Sequence, residues 1–322
     1  MTERMTLADY AVSPKPFLAG VARKLREEST FMDTLNFVTA NALAIKVVRE
    51  GSLPTIAWRN IGNPHGSSKA GQPDEVVERA YSIGNEILFD KTMLMDKTPR
   101  IYDPKTYQAD QITKAIARTF NDACINGLPS DLLNPVGLWY RLMNDFPSQM
   151  IAANLDISSD ATGLAANIQS FFDALDSLLY SLTGKLDGNG VYLYCNDTML
   201  LRYQSIMRQS NQLSTTTDAL GRTFTDYKGA KFVDMGYKTD DLTPIINNLE
   251  NGTALTGGAQ TSIYAARVGD EYFTGWQEYA MEVFEPELTS DKVTYKQVID
   301  WVPGIAVSHP RSIARLHSIT AK

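Results

Sequence analysis

Cysteine is almost absent from this sequence. The two cysteines among 322 residues, Cys124 and Cys195, fall within a predicted helix and a predicted strand. Their places inside regular elements argue against a disulfide or a metal site. We therefore predict two buried, reduced thiols that pack as small apolar side chains.

An excess of positive charge is also lacking. Lys and Arg total 30 against 37 Asp and Glu, which gives a net charge of −7. A protein whose main task is to grip phosphate backbones needs a concentrated basic face, and this balance argues against one. The sequence has no run of about 18 apolar residues and no apolar signal-peptide stretch at its N-terminus. We expect synthesis in the cytosol.

Enzyme signatures are missing too. The chain contains no Gly-x-Gly-x-x-Gly, no phosphate-binding Gly-Lys-Ser/Thr loop, no His-Glu-x-x-His helix and no Gly-x-Ser-x-Gly elbow. Its three histidines, His65, His309 and His317, are too far apart in sequence to form a ligand pair at helical spacing. We predict no metal and no cofactor.

Paired carboxylates leave one enzymatic hypothesis open. Asp173 and Asp176 are three residues apart on a predicted helix, and Asp240 and Asp241 adjoin in a loop. Two nearby carboxyl groups can act as general acid and base, so the alternative is an α+β carboxylate-dependent hydrolase. A solvated helix face and a helix cap explain these residues more simply.

The sequence does contain clear helix and strand signals. Ordinary globular composition over 322 residues suggests roughly two domains. Capping residues and apolar periodicity predict helices at 104–126, 164–182 and from Asn196 or Asp197 to about Gln209. Strands are predicted at 191–195, 222–227, 230–235, 261–268, 279–285, 292–300 and 312–319, with a polar mobile loop at 210–221 and a possible hairpin at Gly269-Asp270.

The segment from Leu43 to Met95 is the most informative. Two strand-like runs flank a turn-rich stretch, 62–73, with Ile45, Val47, Ile56 and Trp58 on the outgoing limb. The return limb alternates apolar Tyr81, Ile83, Ile87 and Phe89 with acidic Glu78, Glu86 and Asp90. Because a two-stranded ribbon is barely stable alone in water, we expect it to lie on another surface, which could be a second copy of the chain.

A resemblance follows from the order of these elements together with the C-terminal stretch. That stretch reads SIYAARVGDEYFTGWQEYAMEVFEP and then VTYKQVIDWVPGIAVSHPRSIARLHSI. In order and character, the ribbon, the long capped helix and these strands resemble the major capsid protein of tailed double-stranded DNA bacteriophages, which has the Hong Kong 97-type capsid fold.

The resemblance implies an α+β architecture with an N-terminal arm, an extended β-hairpin loop, a peripheral domain and an axial α/β domain. The arm would be residues 1–41 and the extended loop 42–98. The peripheral domain would take 99–152 and 279–307, with the spine helix at 104–126, and the axial domain 153–278 and 308–322.

The same resemblance implies a structural, non-enzymatic subunit that self-assembles into pentamers and hexamers of an icosahedral shell enclosing double-stranded DNA. Its partners would be further copies of itself, a scaffolding protein, a portal and decoration proteins, in the virion and, during assembly, the host cytoplasm. Trp58, His65, Lys69, Tyr81 and Phe89 are the predicted inter-subunit contacts. A virion tube or decoration protein is a further alternative.

Two departures from the family matter. The chain starts almost directly with the arm, so a separate scaffold or prior trimming is expected. Some members cross-link a loop lysine to a neighbour's asparagine, but no partner asparagine can be identified for Lys69, and no cross-link is predicted.

Overall fold

The computed structural model describes residues 29–49, 54, 56–65, 74–92, 104–183, 188, 190–209, 214–217, 223–284 and 286–322. They form both helices and β-sheets, with the α-helices before residue 210 and mainly strands after it, which confirms the α+β class. The helices are α1 (Thr30–Thr34), α2 (Pro104–Asn126), α3 (Leu138–Asn144), α4 (Leu164–Thr183) and α5 (Asp197–Gln209). Phe31 and Leu35, which lie within the predicted N-terminal arm, are buried in the chain's own core.

The strands run through most of the chain. In chain order they are β1 (Phe37–Thr39), β2 (Ala44–Arg49), β3 (Asp74–Arg79), β4 (Ile83–Asp90), β5 (Met150–Asp156), β6 (Val191–Cys195), β7 (Ser214–Thr217), β8 (Thr223–Tyr227), β9 (Ala230–Asp234), β10 (Thr261–Arg267), β11 (Phe273–Gln277), β12 (Glu282–Val283), β13 (Glu287–Leu288), β14 (Thr294–Trp301), β15 (Pro303–Val307) and β16 (Ile313–Thr320).

The three predicted long helices are confirmed, and local chemistry explains their ends. The Asn196 side chain accepts the Met199 amide at 2.9 Å and so caps α5. After α2, Gly127 packs so tightly that a Cβ there would lie 2.1 Å from the Pro135 carbonyl oxygen, which only glycine tolerates. No described helix is both long enough and apolar enough to span a bilayer.

A seven-stranded sheet forms the first layer, in the order β5-β16-β10-β6-β9-β8-β7. Helices α4 and α5 pack on it through a core that includes Leu175, Leu178, Tyr203, Leu193 and Ile263. The predicted mobile loop at 210–221 is partly wrong: its residues 214–217 are β7, which pairs antiparallel with β8 at the sheet edge.

A second core lies between α2 and two smaller sheets, β1-β11-β15 and β12-β14-β13, with β4 joined to β14. At its centre the Trp301 ring lies 5.0 Å from that of Phe120 and 5.6 Å from that of Phe37. The hairpin predicted at Gly269-Asp270 is wrong, because β10 belongs to the seven-stranded sheet and β11 to the three-stranded one.

The ribbon exists, but its return limb differs from the prediction. β2 pairs antiparallel with β3, from Ala44 opposite Arg79 to Arg49 opposite Asp74, as a two-stranded sheet. The predicted return limb around Ile83–Asp90 is instead β4, which pairs along its whole length with β14. The ribbon is therefore shorter, and the alternating segment covers the second core of its own chain.

Candidate assembly interface

The far end of the ribbon displays apolar side chains to solvent. Trp58 and Ile61 are fully exposed, and Ile56 is nearly so. Monomeric proteins rarely expose such side chains together, so a cluster of this kind marks an interaction surface. We call residues 56–65 the ribbon tip.

Arginine holds the shape of the ribbon tip. Arg59 donates from Nη1 to the Asn63 carbonyl oxygen at 2.9 Å and from Nε to His65 Nε2 at 3.1 Å. The Arg59 side chain therefore links both ends of the turn within the ribbon tip. Because arginine is the charged residue within it, the tip combines apolar surface with positive charge.

The base of the ribbon is attached to the body of its own subunit. Val47 is buried in a small cluster with Trp276 and Ala306. The amide of Tyr81, just past the ribbon, donates to the Pro303 carbonyl oxygen at 3.0 Å. The surface under the ribbon base therefore belongs to its own subunit and not to a second copy, whereas the ribbon tip remains exposed.

A buried ion cluster reinforces this attachment. The Glu78 carboxylate of β3 accepts a hydrogen bond from Arg49 Nη2 of β2 at 3.3 Å. It also accepts hydrogen bonds from both Nη atoms of Arg141 in α3, with Nη2 at 2.7 Å. Their side chains are nearly inaccessible to solvent. Burial lowers the pKa of Arg49. The negative charge of Glu78 opposes this shift, whereas the positive charge of Arg141 adds to it. The predicted acidic face of the ribbon is wrong at Glu78, because this carboxylate points into the body.

The predicted contact residues occupy different environments. Trp58 and His65 are exposed at the ribbon tip, and Tyr81 is half-buried where the ribbon joins β4. Lys69 lies outside the described residues. Phe89 is only 5% exposed and packs in the second core, so its assignment as an inter-subunit contact is wrong.

A second buried ion pair stabilises the seven-stranded sheet. Arg315 of β16 is 0% exposed, and it donates to Glu250 at 2.9 Å and to the Thr253 carbonyl oxygen at 3.0 Å. Burial raises the pKa of the Glu250 carboxyl, although Arg315 opposes the shift. No periodicity or spacing in the sequence connects Arg315 with Glu250, which lies 65 residues earlier in the chain.

A network of amide hydrogen bonds fastens the loop between β9 and β10, which also carries Glu250, to α5. The two hydrogens of the Asn196 side-chain nitrogen are shared among three acceptors, the Ile246 carbonyl oxygen at 3.0 Å, Asn248 Oδ1 at 2.7 Å and Thr261 Oγ1 at 3.0 Å. One residue therefore caps the helix, holds the loop and contacts β10. Such fully paired buried amides make the loop part of the rigid body.

The candidate catalytic carboxylates form structural contacts. The Asp176 carboxylate accepts hydrogen bonds from the Lys228 ammonium at 2.6 Å and from the Tyr227 hydroxyl at 2.6 Å. Asp173 lies on an exposed face and accepts a hydrogen bond from the Gln169 side-chain amide at 3.3 Å. Asp240 is exposed and closes a turn with the Thr243 hydroxyl and amide, which lowers its pKa to about 2. This arrangement does not support the hydrolase hypothesis.

The remaining reactive side chains are also accounted for. Cys124 and Cys195 are free, buried thiols, as predicted, and burial raises the pKa of both well above the usual value. His309 accepts the Arg311 amide at 3.0 Å, and His317 is buried beside Ser318. No group of histidine, cysteine or carboxylate side chains in the described segments could hold a metal ion.

Comparisons with known proteins identify the architecture. No protein-family profile and no curated protein matches the sequence. Among solved structures, the capsid of a native GTA particle covers 89% of this chain and 89% of its own, with TM-score 0.61 and 15% identity. The SrpI encapsulin of Synechococcus elongatus PCC 7942 covers 92% and 90%, with TM-score 0.59 and 14% identity.

A third similar structure is the capsid of Myoviridae phage XM1, at TM-score 0.56 and 11% identity, which covers 89% of this chain and 91% of that one. Structural similarity at such low sequence identity establishes the fold alone. It extends over about nine tenths of this chain in each of the three matches. The chain therefore has the Hong Kong 97-type capsid fold.

Proposed function

We propose that this chain is the major capsid protein of a tailed double-stranded DNA bacteriophage, and that its copies form pentamers and hexamers of an icosahedral shell. The observation that carries the proposal is the match to capsid structures over about 90% of both chains. The division into arm 1–41, extended loop 42–98, peripheral domain and axial domain 153–278 with 308–322 is part of this proposal.

The ribbon tip supports a role in assembly. Burying one large apolar side chain contributes roughly 1.5–3 kcal/mol, and the tip offers three: Ile56, Trp58 and Ile61. We assign Trp58 and His65 to the contact with a neighbouring copy, with Lys69 and Tyr81 on the same segment. A modest contact of this kind becomes decisive when every copy in a closed shell makes it.

The remaining surface fits a structural subunit. The net charge of −7 favours a protein that encloses DNA without binding its sequence. We propose that the chain acts without catalysis, with a scaffolding protein, a portal and decoration proteins as partners. Its place would be the virion, after assembly in the host cytoplasm.

Electron microscopy of the purified protein, alone and with its scaffold, tests the proposal. We expect closed shells, with rings of five or six as intermediates. Trp58→Ala should leave the subunit folded, because the Trp58 side chain is fully exposed in the isolated chain. It should reduce shell formation, because it removes apolar surface that we assign to the contact between copies. Trp58→Phe is the matched control, since it keeps an aromatic ring at the same place. A folded, strictly monomeric parent protein would contradict the proposal, and tubes would favour the tube alternative.

The contents of the particles test the DNA-enclosing role. The match to an encapsulin shows that this fold also occurs in a particle that is not described as a phage. Particles from the native source should hold nuclease-protected double-stranded DNA. Particles that hold no DNA would instead favour an encapsulin-like shell.

A further inference from the structure

The ribbon meets its own subunit through very little apolar surface. Its strands β2 and β3 pair with each other as a two-stranded sheet. The apolar contact beneath them is a small cluster of Val47, Trp276 and Ala306, with the half-buried side chains of Ala40, Ile45 and Ala80 packed against it. A contact of this size allows a ribbon to pivot, because few side chains must separate when the angle changes.

The ion cluster supplies the directional contact that the apolar surface lacks. Glu78 accepts both Nη atoms of Arg141, whose Nε also donates to the Val136 carbonyl oxygen at 2.9 Å. Arg141 is therefore held in the body, and its planar fork orients the carboxylate of β3. A bidentate pair of this kind restricts both the position and the angle of the ribbon.

Arg49 ties the other strand to the body at the same point. Its Nε donates to the Val307 carbonyl oxygen at 3.0 Å, and its guanidinium lies 5.1 Å from the centre of the Phe146 ring. Asp145, 4.0 Å from Arg49 and partly exposed, is a second but weaker acidic neighbour. Glu78 thus separates two buried guanidinium groups that would otherwise repel each other.

We propose that Glu78, Arg49 and Arg141 form a latch that sets the direction in which the ribbon leaves the subunit. The latch spans β2, β3 and α3, so a single carboxylate couples the ribbon to the segment that follows α2. When it is closed, the ribbon tip is presented at one angle. When it is broken, the strands stay paired and the ribbon pivots about Val47.

Distances between two spin labels measure this angle directly on the dispersed subunit. Ala57→Cys places a label on the exposed ribbon tip, and Ser177→Cys places one on the exposed face of α4. Both native cysteines are buried, so the labels react at the introduced sites. In the parent protein we expect one narrow distance distribution.

Glu78→Gln should broaden that distribution, because the amide cannot neutralise two guanidinium groups. The Tyr81 amide, which bonds to Pro303 at the ribbon base, should also exchange with solvent about tenfold faster, whereas amides of β10 and β16 should not change. Glu75→Gln is the matched control, because the ion pair described for Glu75 is an exposed one with Lys46 on the same ribbon.

A folded Glu78→Gln protein with the parental distance distribution would overturn the latch, as would equal broadening in Glu75→Gln. If Glu78→Gln does not fold, Arg141→Lys replaces it, since lysine keeps the charge but loses the fork. That variant should broaden the distribution as well, and an unchanged one would overturn the latch. None of these measurements depends on shell formation, so a failure of the proposed function would be seen separately.

Discussion

Replacing Arg315 by methionine would test the buried ion pair that holds the long loop before β10 against the seven-stranded sheet. Methionine keeps much of the volume and apolar stem of arginine but removes its two described hydrogen bonds, to Glu250 and to the Thr253 carbonyl oxygen. The Glu250 side chain, 1% exposed, would keep Ser262 at 3.1 Å as its described partner.

The expected cost follows from the burial of that carboxylate. Removing one member of a buried ion pair typically costs about 3–5 kcal/mol, because the remaining charge stays desolvated. With an unfolding entropy of about 2.1 cal/mol/K per residue, a chain of 322 residues loses about 4–7 °C in Tm for that amount. Glu250→Leu combined with Arg315→Met should recover most of the loss, since no buried charge remains.

The pH dependence gives the sign of the effect. The pKa of Glu250 is raised in the folded protein above its ordinary value, so the folded state binds the proton more tightly than the unfolded state does. Such a group favours folding at low pH and loses that contribution as pH rises from about 4.5 upward. Without Arg315 the pKa rises further, so the deficit of Arg315→Met should be small near pH 5 and larger near pH 8.

Thermal unfolding followed by circular dichroism measures this, with the parent and the double variant alongside at each pH. A single variant that unfolds within about 1.5 °C of the parent at pH 8, equivalent to about 1 kcal/mol, would refute the reasoning. A deficit that does not shrink on acidification would also refute it, because the cost would then not come from the carboxylate.

Other predictions concern separate parts of the molecule. Asn196→Ala should cost about 3 kcal/mol in chemical denaturation, since it removes a helix cap and three side-chain bonds, and a loss under about 1 kcal/mol would contradict the network. Gly137→Ala should cost about 1–3 kcal/mol by the same assay, because its Cβ would lie 2.5 Å from the Gly127 amide nitrogen; parental stability would show that the turn yields. Asp176→Asn should leave shell yield unchanged by electron microscopy, and a variant with intact shells but lost turnover of some substrate would revive the hydrolase hypothesis.

Local signals explain why the helices could be predicted. The end of α2 at Gly127 and the Asn196 cap of α5 depend on residues within a few positions of the helix. Periodic apolar residues then predict which face is buried, as in α4. Such features need no knowledge of distant parts of the chain.

Strand partners could not be predicted, because pairing is decided by distant segments. The alternation in Ile83–Asp90 fits a ribbon limb and a sheet strand equally well, and only its register with β14 distinguishes them. β11 and β15 are buried at every position, so they lack the alternation that reveals a half-exposed strand. Neither is among the strands predicted from the sequence.

The exposure of the predicted contact residues follows only in part from local sequence. Exposure of Trp58 follows from its place near a turn-rich stretch, whereas burial of Phe89 follows from the sheet that its strand joins. Glu78 looked like a solvated carboxylate because its partner Arg141 lies 63 residues away along the chain. No periodicity or spacing signal connects two such residues.

The most direct test of the account is a cryo-electron microscopy reconstruction of the particles that this protein forms. The account predicts a closed shell of pentamers and hexamers in which Trp58 and Ile61 of each ribbon tip are buried against a neighbouring copy. A well-folded protein that forms no shell with its scaffold, or a shell in which both side chains remain in solvent, would contradict it.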